Sequence, residues 1–256
     1  MSQLTHSNMT STQLKSHFFR SESLESTNDE LKKIANKADL PNFSCVITDN
    51  QTAGKGQIGN KWESEPYKNL TFSVLLHPTT LPILKQFLLS KMVSVAIAQT
   101  LEHYATDVSI KWPNDIYVGD KKICGILIEN SIIGDKIHQS IIGIGLNVNQ
   151  TLFLSDAPNP VSLKMISNNE YHLEDILLQI LEQIEIRFAQ LLAGCTNTIS
   201  HIYFDKLYRR EGYFPYKDIN GEFVAKIEEV KDFGFLVLKR KDGTLSEYAF
   251  KEVQFM

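Results

Sequence analysis

Apolar and polar positions change period several times along the chain, and the changes divide it into elements. Thr27-x-x-Glu30 reads as a capping box, and Leu31, Ile34 and Ala35 then recur at helical spacing, so a helix is expected over about residues 27–37, closed by Pro41. The apolar run from Phe43 to Thr48 reads as a strand and leads into a polar, glycine-containing stretch from Asp49 to Pro66. Leu70, Phe72, Val74 and Leu76 alternate as in a half-buried strand. Between Leu81 and Tyr104 the apolar positions form the broad stripe of a long helix.

The period then drops to two. Val108 to Trp112, Ile116 to Val118, Ile123 to Glu129 and Ile137 to Leu146 read as strands, with Gly119-Asp120 and Gly134-Asp135 as hairpin turns. Helices over about 173–192 and 198–208 follow. From about Tyr213 the pattern is all short strands, with turns at Asp232-Phe233-Gly234 and Asp242-Gly243. The expected chain is α+β: a flexible tail over 1–17, a mixed-sheet catalytic domain with flanking helices over 18–211, and a small β-barrel over 212–256.

With 43% hydrophobic and 22% charged residues in 256, the composition is that of a globular protein able to bury a core without disulfides or metal. Lysine plus arginine number 26 against 30 acidic residues, a net charge of -4, so the overall field gives no reason to expect DNA binding and any anionic ligand must be met by local cations. Cys45, Cys124 and Cys195 are odd in number and widely spaced, which points to reduced thiols and a cytoplasmic setting. No signal peptide or membrane span is apparent, because the stretch from Ile137 to Ser155 is broken by glycines and polar residues.

Several short segments carry candidate chemistry. Gly54-Lys55-Gly56-Gln57-Ile58-Gly59 has the letters of a dinucleotide fingerprint, but Pro66 follows closely and forbids the helix that a pyrophosphate site needs. Asp232-Phe233-Gly234 lies in the all-β tail, where it is a turn and not a kinase motif. A glycine loop with one central lysine can cradle an anion on backbone amides, or be a plain surface loop. Lys111-Trp112-Pro113-Asn114-Asp115 is a stiffened turn at a strand end, which either presents side chains rigidly or only joins two strands. Gly125, Gly143 and Gly145 interrupt buried strands, as glycine does where a ligand or backbone comes close.

In order, Ser26-Thr27-Asn28, the Gln51 to Trp62 glycine loop, Lys111-Trp112-Pro113-Asn114-Asp115, Lys122-x-x-Gly125-Ile126-Leu127-x-Glu129 and Gly143-x-Gly145-x-Asn147 resemble the biotin protein ligases motif by motif, over about residues 20 to 256. The resemblance implies the class II synthetase-like fold of the biotin/lipoate ligases with an SH3-like C-terminal domain. It implies an enzyme that makes biotinyl-5'-AMP from biotin and ATP, releases pyrophosphate, and passes biotin to a lysine of a biotin carboxyl carrier protein. It further implies that Ser26, Thr27, Asn28, Gln51, Gly54, Gly56, Lys122, Gly125, Gly143 and Gly145 take biotin. The nucleotide falls to Lys55, Gly56, Gln57, Gly59, Trp62, Lys111, Asn114, Asp115 and Asn147.

Lys122, Lys55 and Lys111 are the expected catalytic cations, and Asp115 the residue near Mg2+. Thr27 could instead spend its hydroxyl as a helix cap, Trp62 could be a core aromatic, and Asp115 could merely shape its turn. Gln57, Ile58 and Asn60 stand where some relatives carry loop arginines, which places more weight on the three lysines. Too few residues precede Ser26 for a helix-turn-helix, so a monofunctional ligase with no repressor role is expected, and a homodimer stays open. A lipoate ligase or octanoyltransferase, or a biotin- or nucleotide-binding module without turnover, is the alternative.

Overall fold

A computed structural model describes residues 17–57, 60–155 and 159–256. Residues 1–16 of the expected tail, and Ile58 and Gly59 of the glycine loop, lie outside these. The chain opens with an edge strand, β1 (Phe18–Leu24), that the pattern did not announce. Its Arg-Ser-Glu-Ser centre lacks an apolar face because the strand lies at the margin of the sheet with several positions exposed.

Helix α1 (Thr27–Ala35) follows, then β2 (Cys45–Gln51) and β3 (Leu70–Leu76). The true N-cap is Ser26, whose hydroxyl accepts from Asp29 N–H at 3.4 Å, so the expected capping box is shifted by one residue. β3 is buried along its whole length and not half-buried as expected. Phe72, Val74 and Leu76 face the helical layer, while Leu75 packs beside Leu31 of α1 on the other side.

The long helix expected from Leu81 shortens to a 3₁₀ turn at Ile83–Lys85 and α2 (Phe87–Leu101). Pro82 pairs with Lys136 across the end of the sheet, and that engagement delays the helix. Strands β4 (Val108–Lys111), β5 (Asp115–Val118), β6 (Lys121–Ile133) and β7 (Lys136–Leu146) form a meander with turns where the two Gly-Asp pairs stand. β1 and β2 pair in parallel and the rest antiparallel, giving a mixed sheet of seven strands in the order β1-β2-β3-β7-β6-β5-β4. A short α3 (Leu163–Ser167), α4 (Leu173–Leu192) and α5 (Thr196–Asp205) complete this part, and α2 packs against α4 and α5 over one sheet face.

The remaining strands, β8 (Phe214–Asp218), β9 (Gly221–Val230), β10 (Leu236–Arg240), β11 (Leu245–Tyr248) and β12 (Gln254–Phe255), form an antiparallel sheet ordered β11-β10-β9-β8-β12. Its core residues Tyr216, Ala225, Leu236 and Leu238 are continuous with the main core. Trp112 Nε1 donates to Gly234 O at 2.9 Å, and buried Lys91 reaches Val230 O at 3.4 Å and Ser200 Oγ at 3.3 Å. Burial pushes the Lys91 ammonium below its ordinary pKa, with Asp232 opposing the shift. Among the described residues no helix is long and apolar enough to cross a membrane.

Candidate functional site

Strand register builds the floor of the main cleft. Directly paired residues of antiparallel strands share a face. Thr48, Thr71, Gly145 and Gly125 therefore form one row across β2, β3, β7 and β6, and Val46, Ser73, Gly143 and Leu127 form the next. Three glycines in two adjacent rows leave a depression, and two side chains descend into it. A Cβ on Gly145 would lie 2.3 Å from Trp62 Cε2, and one on Gly143 would lie 2.4 Å from Asn28 Oδ1. Neither space exists for a side chain, so glycine at these points is required by close approach.

Ser26, Thr27 and Asn28 at the start of α1 are buried beside this floor. Thr27 N–H donates to Gln51 Oε1 at 2.9 Å, and its hydroxyl lies 3.3 Å from the same oxygen. Thr27 is therefore not the helix cap, and its hydroxyl is turned to the cleft network. Ser73 Oγ lies 2.7 Å from Thr27 Oγ1 and 2.6 Å from Asn28 Oδ1, and Asn28 Nδ2 donates to Glu129 Oε2 at 2.7 Å.

The glycine loop is a hairpin. Trp62 N–H donates to Gly54 O at 3.0 Å, Gly56 N–H to Asn60 O at 2.9 Å, and Lys55 pairs with Lys61. Gln57 Nε2 donates to Asn114 Oδ1 at 2.9 Å, which ties the loop to the Trp-Pro-Asn turn, and Asn114 Nδ2 reaches Ile126 O at 3.4 Å. Lys55 Nζ forms an ion pair with Asp29 at 2.6 Å, which raises its pKa. Trp62 Nε1 is buried over the glycine floor with no hydrogen-bond partner among the described residues.

At the far end Lys122 Nζ stands 2.7 Å from Asp115 Oδ2 and 5.9 Å from the centre of a Trp62 ring. Lys55, Lys122, Asp115, Gln51 and Trp62 all line the cleft, together with Ser26, Thr27, Asn28, Gly56, Gln57, Gly125, Gly143 and Gly145. Four expected members among the described residues do not line it: Gly54 and Asn114, which the hairpin and its Gln57 contact hold outside the lining, and Lys111 and Asn147. Lys111 is drawn behind the wall, with its Nζ 3.2 Å from Tyr117 Oη and over the rings of Tyr117 and Phe255. Burial lowers its pKa, with Asp115 opposing. Asn147 Nδ2 donates to Val161 O at 3.1 Å, and its buried Oδ1 has no partner among the described residues. Gly59 lies outside the described residues.

Other residues at the cleft carried no signal in the sequence. Asp29, Thr71, Ser73 and Phe250 reach it or brace it through register and tertiary packing, which spacing alone does not reveal. Glu63, next to Trp62, accepts from Leu154 N–H at 2.8 Å, Ser155 N–H at 2.7 Å and Gln150 Nε2 at 3.2 Å. Burial raises the Glu63 pKa, but these bonds outweigh it and hold the carboxyl below its ordinary range. That stability is present above the unfolded pKa and fades as pH falls through the lower folded value. Glu63→Ala should cost about 1–2 kcal/mol in urea unfolding at neutral pH and expose the amides of residues 154 and 155 to hydrogen exchange. Equal exchange in both proteins would show that the carboxylate does not hold this segment.

Among the described residues no three His, Cys, Asp or Glu side chains gather as a metal site. Burial pushes the Cys45 and Cys124 thiols far up, so neither is a nucleophile. The cleft instead pairs a hydrogen-bonding wall with cations at both ends, an arrangement for a polar heterocycle joined to an anion.

Residues 21–147 match the biotin/lipoate A/B protein ligase family, so the chain carries a domain of that family. The bifunctional ligase/repressor BirA of Bacillus spizizenii is 29% identical over 239 residues, covering 91% of this chain and 72% of the relative. Biotin–protein ligase 1, chloroplastic, of Arabidopsis thaliana is 36% identical over 131 residues, covering 49% of this chain and 34% of the relative. Among solved structures, the biotin protein ligase of Aquifex aeolicus in complex with biotin and ATP superposes with a TM-score of 0.76 at 24% identity, covering 94% of this chain and 99% of that one, and shares the fold.

Proposed function

We propose that the chain is an ATP-dependent biotin protein ligase that forms biotinyl-5'-AMP and transfers biotin to a lysine of a biotin carboxyl carrier protein. The observation that carries this reading is the single cleft in which the Thr27–Gln51 edge, the glycine floor and the Lys122–Asp115 pair line one continuous surface. Relatives named as biotin–protein ligases, and a solved structure holding biotin and ATP, support it.

In the first step an oxygen of the biotin carboxylate bonds to the α-phosphorus of ATP and the bond to the bridging oxygen breaks, releasing pyrophosphate. Two anions must meet, so fixed cations at the reacting end lower the barrier as charge builds on the phosphoryl oxygens. Lys122 is the cation at that end, and Lys55 guards the loop side. Asp115 is the carboxylate that would help to hold Mg2+, and the metal would supply further charge neutralisation for the phosphates. In the second step a neutral lysine amine of the carrier attacks the acyl carbonyl, AMP leaves, and an amide forms.

The test is pyrophosphate release from ATP with biotin, lipoate or octanoate as acyl donor, followed by transfer to a carrier domain. Release that needs biotin and is absent with the two acyl chains is the expected result. Release with lipoate and none with biotin would establish the lipoate ligase reading, and binding of biotin without any release would make the chain a binding module.

A further inference from the structure

Ser73 and Glu129 are not among the residues that line the cleft, yet both bond to Asn28, which does. Ser73 is fully buried on β3, and Glu129 is exposed on β6 at the end of the hydrogen-bond chain through Asn28. We infer that Glu129 and Ser73 are positioning residues that set the donor and acceptor order of the Thr27–Gln51 wall, and so select a cyclic urea over a cyclic guanidine. This rests on the biotin reading above.

The argument follows the protons. An ionised carboxylate only accepts, so Glu129 at 2.7 Å holds the Asn28 amide with Nδ2 towards itself. Asn28 Oδ1 is then turned to Ser73 Oγ at 2.6 Å and can only accept there. A hydroxyl carries one proton, so with the Ser73 proton committed to Asn28, the Thr27 proton goes to Ser73 Oγ at 2.7 Å or to Gln51 Oε1 at 3.3 Å, and in both cases it is spent within the wall. Thr27 Oγ1 is left with lone pairs alone for any further partner.

Gln51 is fixed independently. Its Oε1 takes the Thr27 N–H at 2.9 Å, which leaves Nε2 as the free end, packed beside Gly54. The wall therefore offers one acceptor, Thr27 Oγ1, next to one donor, Gln51 Nε2. A urea edge, N–H beside C=O, matches it in that order. A protonated guanidine presents donors at both points and leaves Gln51 Nε2 facing another N–H. Without Glu129 the Asn28 amide can flip, Ser73 can turn its proton to Thr27, and the acceptor becomes a donor, because the heavy atoms alone do not fix the order.

The experiment compares dissociation constants for biotin and for its cyclic guanidine analogue, iminobiotin, by calorimetry in wild type, Glu129→Ala and Ser73→Ala. Sites built to hydrogen-bond a particular group reject the mismatched analogue strongly, so wild type should favour biotin by about 100-fold or more, and both variants should lose at least roughly tenfold of that ratio. Glu129 is exposed, so its variant should fold even if Ser73→Ala does not. A ratio within about threefold of wild type in Glu129→Ala, even with both ligands weakened, would overturn the inference.

A second readout does not need a ligand. In nuclear magnetic resonance spectra of the free protein, the Asn28 side-chain amide protons should be shifted and protected in wild type and become solvent-like in Glu129→Ala. Unchanged Asn28 signals would also overturn the inference. If wild type binds neither compound, the biotin reading fails, while the Asn28 signals still decide whether the relay exists.

Discussion

Lys122→Ala is expected to lower biotin-dependent pyrophosphate release by roughly 100- to 1,000-fold, equivalent to about 3–4 kcal/mol of lost transition-state stabilisation. The ammonium stands at the cleft end opposite the Thr27–Gln51 wall, 2.7 Å from Asp115 and near the face of Trp62. The Asp115 pair is partly exposed, and such pairs contribute little to stability, so the melting temperature should change by a few degrees at most. A variant that releases pyrophosphate within about threefold of wild type would remove Lys122 from the reaction. A variant that fails to fold would mean that the pair is structural.

Gly145→Val is expected to cost about 1–3 kcal/mol of stability and to abolish measurable ligand binding, because a Cβ there would lie 2.3 Å from Trp62 Cε2 and 2.5 Å from Trp62 Nε1. The indole cannot shift down into the sheet, so it must leave the cleft floor and take the hairpin with it. The double variant with Trp62→Ala separates this account from a general strand effect. Residues in contact couple strongly, so removing the indole should recover most of the stability lost to valine, while ligand binding stays impaired. Additive losses in the double variant would show that Trp62 and Gly145 do not share that space.

The parts of the fold that could be read along the chain are those governed by local period. Helix α4 stands at Leu173–Leu192 as its apolar spacing indicates, and the Gly-Asp pairs at 119–120 and 134–135 turn the hairpins as expected. Strand β1 escaped because at the sheet margin it is largely exposed and needs no run of apolar positions. The full burial of β3 escaped because Thr71 and Ser73 are polar yet lie under α1 and the cleft, a fact of register and not of composition.

The site divides in the same way. Gly56, Gly125, Gly143, Gly145, Lys55, Gln57 and Lys122 announced themselves through type and spacing, and the structure brings them to one cleft. Lys111 did not follow, because nothing in Lys-Trp-Pro-Asn-Asp tells that Tyr117 and Phe255 will hold its ammonium behind the wall. The cap expected at Thr27 falls to Ser26, a one-residue shift within the slack of any reading of a helix start, and both residues line the cleft.

The small C-terminal sheet is bound to the larger one at a particular point. Phe87 occupies the space that a side chain on Gly234 would need, 2.7 Å from its Cβ position, while Trp112 holds the carbonyl of the same glycine and Phe250 lends its ring to the ligand cleft. A side chain at Gly234 would press on Phe87 and, through the Trp112 bond and the Trp112–Phe250 ring contact at 6.2 Å, would be felt in the lining of the cleft.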